Sequence, residues 1–196
     1  MNIVVVHAHP SPGSFNRALF DVTVTVLTER GHHVDAFDLY ADGFQPAMSA
    51  EERVAYHGED PVIDPLVAIY SQAIDRAEAM VFVYPTWWSG LPAMMKGWLE
   101  KSMVPGVAFG FDEKSGKVKP RLQHVKRIAG VTTYGSSRWH IKLMNDNGRR
   151  TLLRALRVST GFRTRTTWLG LYGIDTASPA RRAAFLAKVE QEFRTW

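Results

Sequence analysis

Short apolar runs alternate along the chain with longer segments in which apolar residues recur every three or four positions. The run from Asn2 to Val6 is typical of a buried strand, and Phe15, Leu19 and Val22 then recur at helical spacing. Alternation of Val and Thr over residues 22–26 also suits a strand. The length of the segment and its helix signals, a serine cap before it and a glycine after it, favour a helix.

The same alternation continues through the rest of the sequence. The predicted strands are residues 2–6, 33–40, 79–84, 127–131 and 165–169. The predicted helices are residues 14–30, 63–78, 92–103, 141–158 and 178–194. Residues 41–62 and 104–124 are predicted to be irregular connections. Because strands that alternate with helices indicate parallel βαβ units, we expect one α/β domain over residues 1–196, with a five-stranded parallel sheet and helices on both faces.

Composition narrows the class of protein. Hydrophobic residues make up 45% of the 196, which is enough for a substantial core. No stretch approaches the roughly 18 uncharged apolar residues of a membrane span, and the N-terminus has no signal-peptide pattern. Cysteine is absent, which excludes disulfides, thiolate metal sites and cysteine nucleophiles. We therefore expect a cytoplasmic protein that does not insert into membranes.

Charge is distributed unevenly between the two halves of the chain. Residues 1–98 hold five Lys and Arg against twelve Asp and Glu, a net charge of −7, which leaves +12 for residues 99–196. A positive field of this kind can attract nucleic acid, acidic lipid headgroups or a phosphate-bearing ligand. Few aromatic residues lie among the basic ones. A solvated helix face is therefore favoured, and we do not expect nucleic-acid binding.

Three loops follow the first, third and fourth strands, and they should meet at the carboxyl edge of the sheet, where ligands bind in such folds. The first, His9 to Asn16, enters a helix N-terminus, whose free amides and positive dipole end suit a phosphate. A capped helix start after a proline turn explains the same residues. The glycine patterns of Rossmann and P-loop sites are absent from it.

The second loop places two adjacent tryptophans, Trp87 and Trp88, between Pro85 and Pro92. Both indoles cannot point inward, and a rigid loop would hold one of them against a flat ligand. Core packing or a protein interface is the alternative. Trp98 is expected in the core, and Gly97 is expected to let its helix approach the sheet closely.

The third loop, Thr132 to Ser137, offers hydroxyl groups to the polar edge of a ring system, although many strand-to-helix loops look like it. His7 and His9 lie two residues apart on the first strand and raise the question of a metal. No cysteine and no third ligand stand at a usual spacing, so we expect no metal site. A hydrolase is also disfavoured, because no G-x-S-x-G motif is present.

These segments together resemble the flavodoxin-like NAD(P)H:quinone oxidoreductases. The resemblance lies in His9 with Ser14-Phe15-Asn16, in Asp38-Leu39-Tyr40 with Phe44 and Pro46, in the pattern P-x-x-W-x-G-x-P-A-x-x-K-G-W from Pro85 to Trp98, and in Thr132-Thr133-x-Gly135. It covers about the first 140 residues, and the last third matches in pattern only. Tyr134 replaces the first of two glycines that often follow the paired threonines in this family.

The resemblance implies a flavodoxin-like three-layer sandwich with strand order 2-1-3-4-5 and a bound flavin, FAD or alternatively FMN. It implies that the cofactor is held by residues of all three loops. These are His9, Ser14, Phe15, Asn16, Pro85, Thr86, Trp87, Trp88, Ser89, Thr132, Thr133, Tyr134 and Gly135. It further implies a homodimer, in which Phe109 and Phe111 help to form a substrate pocket completed by the partner subunit.

The function implied is two-electron, ping-pong reduction of quinones or related acceptors by NAD(P)H. The family's tyrosine and histidine beside the flavin have no certain counterpart here. Trp139, His140 and Asp146 are the candidates, with Trp139 assigned to the substrate pocket and His140 to proton donation. The alternative function is a flavin-binding accessory subunit, for example of a membrane transporter, with little turnover. A one-electron carrier is disfavoured, because such carriers usually expose an acidic surface.

Overall fold

A computed structural model describes residues 1–196, and its centre is a sheet of five parallel strands. The chain has seven strands in all: β1 (Asn2–His7), β2 (His33–Asp38), β3 (Ala79–Thr86), β4 (Phe109–Phe111), β5 (Val118–Pro120), β6 (Arg127–Tyr134) and β7 (Arg165–Tyr172). The central sheet has the order β2-β1-β3-β6-β7, and β4 and β5 form a separate hairpin. Numbered along the chain, the five parallel strands stand in the order 2-1-3-4-5. The predicted flavodoxin-like α/β sheet is confirmed.

Helices cover both faces of this sheet. They are α1 (Phe15–Glu29), α2 (Ala50–Ala55), α3 (Pro65–Arg76), α4 (Ala93–Ser102), α5 (Arg138–Leu143), α6 (Asn147–Arg150), α7 (Leu156–Ser159) and α8 (Pro179–Phe193). A π-helical turn, Thr151–Ala155, joins α6 to α7, and a 3₁₀ turn, Ile174–Thr176, precedes α8. None of the helices has both the length and the apolar content needed to cross a membrane.

The side chains of β3 alternate between two hydrophobic layers. Met80, Phe82 and Tyr84 face the layer that contains α3, α4 and α7, whereas Val81 and Val83 face the layer that contains α1 and α8. All five are completely buried. Since successive side chains of a strand point to opposite faces, one apolar run supplies both layers, which explains its lack of polar residues.

Four of the five central strands continue beyond the ends that apolar patterning predicts, whereas β2, predicted to end at residue 40, ends at Asp38. The pairing of β3 with β6 continues past Tyr84, which lies opposite Thr132, and ends at Thr86 opposite Tyr134. Residues assigned to loops from the sequence, Pro85 and Thr133 among them, therefore lie in strands. The apolar pattern ends where polar side chains begin, but the backbone pairing between β3 and β6 continues beyond that point.

Three predicted segments were wrong in part. The connection 41–62 contains α2, which begins with a capping box: Ser49 Oγ accepts from the Glu52 amide at 3.1 Å, and Glu52 accepts from the Ser49 amide. The connection 104–124 contains the β4–β5 hairpin. The predicted helix 141–158 is interrupted at Asn145 and Asp146, which have φ angles of 72° and 43° and separate α5 from α6.

The α4 helix agrees with the prediction at Trp98 and differs from it at Gly97. Trp98 is fully buried among Tyr70 and Phe82. Gly97 does lie at a close approach, but the approach is to Pro46 and not to the sheet, because a side chain at Gly97 would overlap the backbone of Pro46. The missing side chain lets the segment after β2 pack against α4.

Lys101 is a buried cation that ties α4 to the segments on either side. Its side chain is only 4% exposed, and its Nζ lies 2.7 Å from Glu52 Oε1 and 3.1 Å from Asp64 Oδ2. It also donates to the Gln45 carbonyl at 3.1 Å. Burial opposes the charged form of Asp64, but hydrogen bonds from Lys101 and from the Leu66 amide outweigh it and lower the pKa of that carboxyl. Because the pKa of Asp64 is lowered in the folded protein, its carboxylate stabilises the fold at pH values above the ordinary pKa of aspartate.

Replacement of Lys101 by Met should destabilise the protein by about 3–5 kcal/mol, because Glu52 and Asp64 would remain without their cation. Urea unfolding at neutral pH measures the change. Since the pKa of Asp64 is depressed, its contribution is lost as the pH falls below about 4, so the difference from the natural protein should shrink there.

Lys96→Met is the matched control. Lys96 pairs with Glu100 on the exposed side of the same helix, and such a pair contributes about 0.5 kcal/mol or less. Equal losses of stability in the two variants would contradict a structural role for Lys101.

Candidate functional site

The loops after β1, β3 and β6 meet at the carboxyl edge of the sheet, as expected. Two side-chain hydrogen bonds hold them together. Asn16 Nδ2 donates to Thr133 Oγ1 at 2.9 Å, and the hydroxyls of Thr86 and Thr132 lie 3.0 Å apart. The first bond joins α1 to β6 across the end of β3, and the second joins β3 to β6. The three loops therefore form one unit.

The first loop delivers the chain into α1 with donors free for an anion. Ser14 caps the helix, and its Oγ accepts from the Arg17 amide at 3.1 Å. The amides of Phe15 and Asn16 have no acceptor within the chain. The Ser11 amide donates to His9 Nδ1 at 3.0 Å, which leaves the proton of that ring on Nε2. His9 and the two amides are therefore the donors of this loop that are available to a phosphate.

The side chains of Phe15 and Asn16 have other roles. Phe15 packs toward Phe185 of α8, with ring centroids 6.5 Å apart. Asn16 is 4% exposed and links to Thr133, while its Oδ1 is buried without a partner. Contact of these residues with a cofactor stays a prediction, and it rests on their backbone amides and on that free oxygen.

Only one of the two histidines expected on the first strand lies in it. β1 ends at His7, which is buried and stacks on Phe20 at 4.9 Å. His9 lies in the following loop, 5.9 Å from the Trp87 ring. Burial lowers the pKa of both histidines, so each favours its neutral form.

The second loop is a strained turn that exposes both tryptophans. Trp88 and Ser89 have φ angles of 49° and 58°, and the Gly90 amide donates to the Trp87 carbonyl at 3.0 Å. Positive φ at both central residues is the pattern of a type I′ turn, which normally uses Asn or Gly. Trp87 is 42% exposed and Trp88 completely so. Strain of about 1–3 kcal/mol per residue is typical of ligand-binding segments.

The third loop is shorter than predicted, because Thr132, Thr133 and Tyr134 belong to β6. All three are buried. The side chain of Tyr134 points into the interior, where it stacks on Tyr172 at 4.5 Å, so that only its backbone is available to a ligand at this edge. Gly135 is exposed and lies against the Asp175 carboxylate, which a side chain at Gly135 would contact.

Of the remaining predicted residues, Trp139 and His140 directly follow the third loop, whereas Phe109 and Phe111 lie apart from the loops within one chain. Trp139 and His140 are exposed on α5, which begins at the Ser137 cap. Phe109 and Phe111 lie on the hairpin strand β4, and Phe109 borders a groove of about 630 Å³ that no residue of the three loops lines. One chain alone does not bring these phenylalanines to the site.

Sequence reasoning missed a buried polar cluster beneath the third loop. Tyr134 donates to both Asp146 oxygens at 3.0 and 3.1 Å and accepts from Trp168 Nε1 at 3.1 Å. The Tyr84 hydroxyl is buried close to Asp146 without a partner. Burial raises the pKa of Asp146, although Tyr134 and Arg149 oppose the shift. The Asn-Asp-Asn-Gly sequence at 145–148 is typical of a turn and was the available signal.

The residues present at this edge fit a flavin. Two unpartnered amides and an imidazole N–H suit its phosphate, and two exposed indoles suit its planar ring. The unpartnered Asn16 Oδ1 is an acceptor at the same junction.

Comparison with known proteins agrees with this geometry. A family model described as flavodoxin-like fold matches residues 1–196. The ribosyldihydronicotinamide dehydrogenase (quinone) of Mus musculus is 27% identical over 98% of this chain and 90% of its own length. The NAD(P)H dehydrogenase (quinone) 1 of Rattus norvegicus is 29% identical over 68% of this chain, and the match spans about half of that relative, 53%.

Among solved structures, the NAD(P)H:quinone oxidoreductase from Methanothermobacter marburgensis superposes with a TM-score of 0.80 at 24% identity, over 98% of this chain and 94% of that one. At this identity the likeness concerns the fold. The resemblance noted in the sequence is confirmed: the chain belongs to the flavodoxin-like fold family, and the curated relatives described above are named as quinone-dependent NAD(P)H or ribosyldihydronicotinamide dehydrogenases.

Proposed function

We propose that this protein is a flavin-dependent NAD(P)H oxidoreductase that reduces quinones or related acceptors by two electrons. The observation that carries the proposal is the junction of three loops, held by the Asn16–Thr133 and Thr86–Thr132 hydrogen bonds, which presents anion donors beside exposed indoles. The names of the relatives point to the same reaction. We propose residues 1–196 as one flavin-binding domain acting in the cytoplasm, with FAD as cofactor and FMN as the alternative.

A bound flavin supplies two-electron chemistry that nicotinamides and quinones can both enter. The chain's own part is to bind and orient. His9 and the amides of Phe15 and Asn16 would hold the phosphate. Pro85 to Ser89 would lie along the ring, and Thr132 to Gly135 along its polar edge. Free N–H groups at that edge would stabilise negative charge on the reduced ring. NAD(P)H and the acceptor would use the same exposed face in turn.

The first test is the absorbance of the purified protein, with FAD or FMN added if it is colourless. Anaerobic NADPH should bleach the band at about 450 nm, and a quinone should restore it, because the two half-reactions are separate. Chromatography of the released cofactor distinguishes FAD from FMN. Failure to bind either flavin would refute the proposal. Flavin binding with negligible turnover would favour the accessory-subunit alternative, which the names of the relatives described above do not support.

His140 is the proposed proton donor. Reduction of a quinone to a hydroquinone consumes two electrons and two protons, and a hydride carries both electrons but only one proton. An exposed imidazole near the third loop can supply the other at neutral pH. Its place after Gly135 and Ser137 is the ground for this assignment.

His140→Gln should lower the rate of quinone reduction at pH 7 by roughly tenfold. This is less than the hundredfold or more of an enclosed general acid, because solvent can reach the same position. The rate of the NADPH half-reaction should not change, and stopped-flow absorbance separates the two. His33→Gln, at an exposed histidine near the opposite edge of the sheet, is the control. Unchanged quinone reduction in H140Q would remove His140 from the mechanism.

We further propose a homodimer whose second subunit supplies Phe109 and Phe111 to the acceptor pocket. Phe111 is 51% exposed, and the groove beside Phe109 is lined in part by Leu99 and Met103. Exposed apolar surface next to an open groove is typical of an interface.

Sedimentation should give twice the chain mass of 22.1 kDa. Phe111→Ser should raise the KM for the quinone several-fold while the affinity for flavin stays the same, since the residue would contact the acceptor and not the cofactor. Ile69→Ser, which removes a similarly exposed apolar side chain from α3, is the control. A monomer with full activity would contradict the proposal.

A further inference from the structure

A second cavity, which we call the basic cleft, contains none of the residues given a role in the function proposed above. It has a volume of about 790 Å³ and lies between the α5–α7 segment and the edge strand β7. Six of its thirteen lining residues are cationic: Arg138, Lys142, Arg149, Arg150, Arg154 and Arg157. Asp146 is its only acid, so the cleft carries a net charge of +5.

The cations of the basic cleft are not neutralised within the chain. None of the six forms an ion pair with a carboxylate, although eleven ion pairs exist elsewhere in the molecule. The Asp146 carboxylate already accepts from the Tyr134 hydroxyl. Arg157 donates to the Phe162 carbonyl at 2.9 Å, but its Nε is buried and without a partner. Five of the six cations are exposed to solvent, and the buried, unpartnered Arg157 Nε is the donor that favours an anionic ligand.

The size and shape of the basic cleft suit a small elongated molecule. Thr166 and Tyr172 both line it, and six residues of strand at about 3.3 Å each give a length of roughly 20 Å. Its volume lies within the range of small-ligand sites, about 300–1,000 Å³. Trp139 and Tyr172 supply aromatic rings to it. A row of cations with aromatic rings matches a nucleotide that carries several phosphates.

The basic cleft lies beside the three-loop junction. Asp146 lines the cleft and binds Tyr134, which directly follows Thr133. Helix α6, which bears Arg149 and Arg150, begins against the tryptophan turn, since a side chain at Gly148 would lie 3.3 Å from Gly90. A ligand with one end at the junction can therefore extend into the cleft.

We propose that the basic cleft binds the 2′-phosphate end of NADPH, so that the protein prefers NADPH to NADH. The inference rests on the proposed function. NADPH differs from NADH by one phosphate monoester, which adds about −1.5 to −2 charge. The diphosphate that both nucleotides share would neutralise only part of the +5 net charge of the cleft. The planar fork of arginine fits phosphate oxygens in pairs.

The test is the double variant Arg150→Gln/Arg154→Gln, assayed with both nucleotides. Neither side chain has a hydrogen-bond partner in the chain, so stability should be retained. The value of kcat/KM for NADPH should fall by at least about tenfold, while that for NADH stays within about twofold. Arg163→Gln/Arg165→Gln removes the same charge outside the cleft and should change neither value. Binding of adenosine 2′,5′-bisphosphate, measured by calorimetry, should weaken only in the first variant.

The outcomes separate this inference from the proposed function. If the flavin-loaded protein oxidises neither nucleotide, the proposed function fails, and weakened bisphosphate binding in R150Q/R154Q would still support the cleft as the phosphate site. Equal kcat/KM values for NADPH and NADH, or equal losses for both in R150Q/R154Q, would overturn the inference while leaving the function intact. Tight binding of a single-stranded oligonucleotide that the variant abolishes, without bisphosphate binding, would also overturn it.

Discussion

All five strands of the central sheet run in one direction, and the rest of the molecule depends on this constraint. Parallel strands require long crossovers, which supply the helices on both faces and leave the carboxyl ends of β1, β3 and β6 side by side. The loops that follow them have no alternative but to meet. Two hydrogen bonds, from Asn16 to Thr133 and between Thr86 and Thr132, convert that meeting into a fixed arrangement. Because both bonds are at least partly shielded from water, they hold the loops more firmly than exposed bonds would.

The sequence predicted what apolar periodicity can encode. The five central strands, the helices α1, α3, α4 and α8, and the sheet order implied by the family resemblance all appear in the structure. It did not predict α2, the β4–β5 hairpin or the break at Asn145 and Asp146. The first two are short elements with few buried residues, so their stability comes from capping and turn hydrogen bonds, which leave little apolar pattern. The break is local turn chemistry that overrides a continuous helical pattern.

The meeting of the three loops was predicted from the sequence, but the contacts and backbone conformations of their residues were not. Asn16 and Thr133 were expected to face a ligand, and the structure adds that their side chains bind each other. The tryptophan loop was recognised as exposed, yet its strain was invisible, because Trp88 and Ser89 occupy positions where Asn or Gly would have signalled a type I′ turn. Such a conformation is held by its surroundings: the Trp87–Gly90 hydrogen bond closes the turn, and the start of α6 packs against it at Gly148. Contacts distant in sequence decide this geometry.

The structure also shows where the unequal charges of the two halves of the chain lie. On the acidic half, several carboxylates form ion pairs, as Glu52 and Asp64 do with Lys101. On the basic half, the arginines of α6 and α7 lie together without counterions, next to a strand edge that has no further strand to cover it. Like charges at this spacing repel one another, which costs stability in the free protein. An anion that enters the cleft relieves the repulsion, so its binding is strengthened by energy already stored in the fold. The Tyr134–Asp146 bond joins the wall of that cleft to β6, so the cleft has a fixed position beside the loop junction.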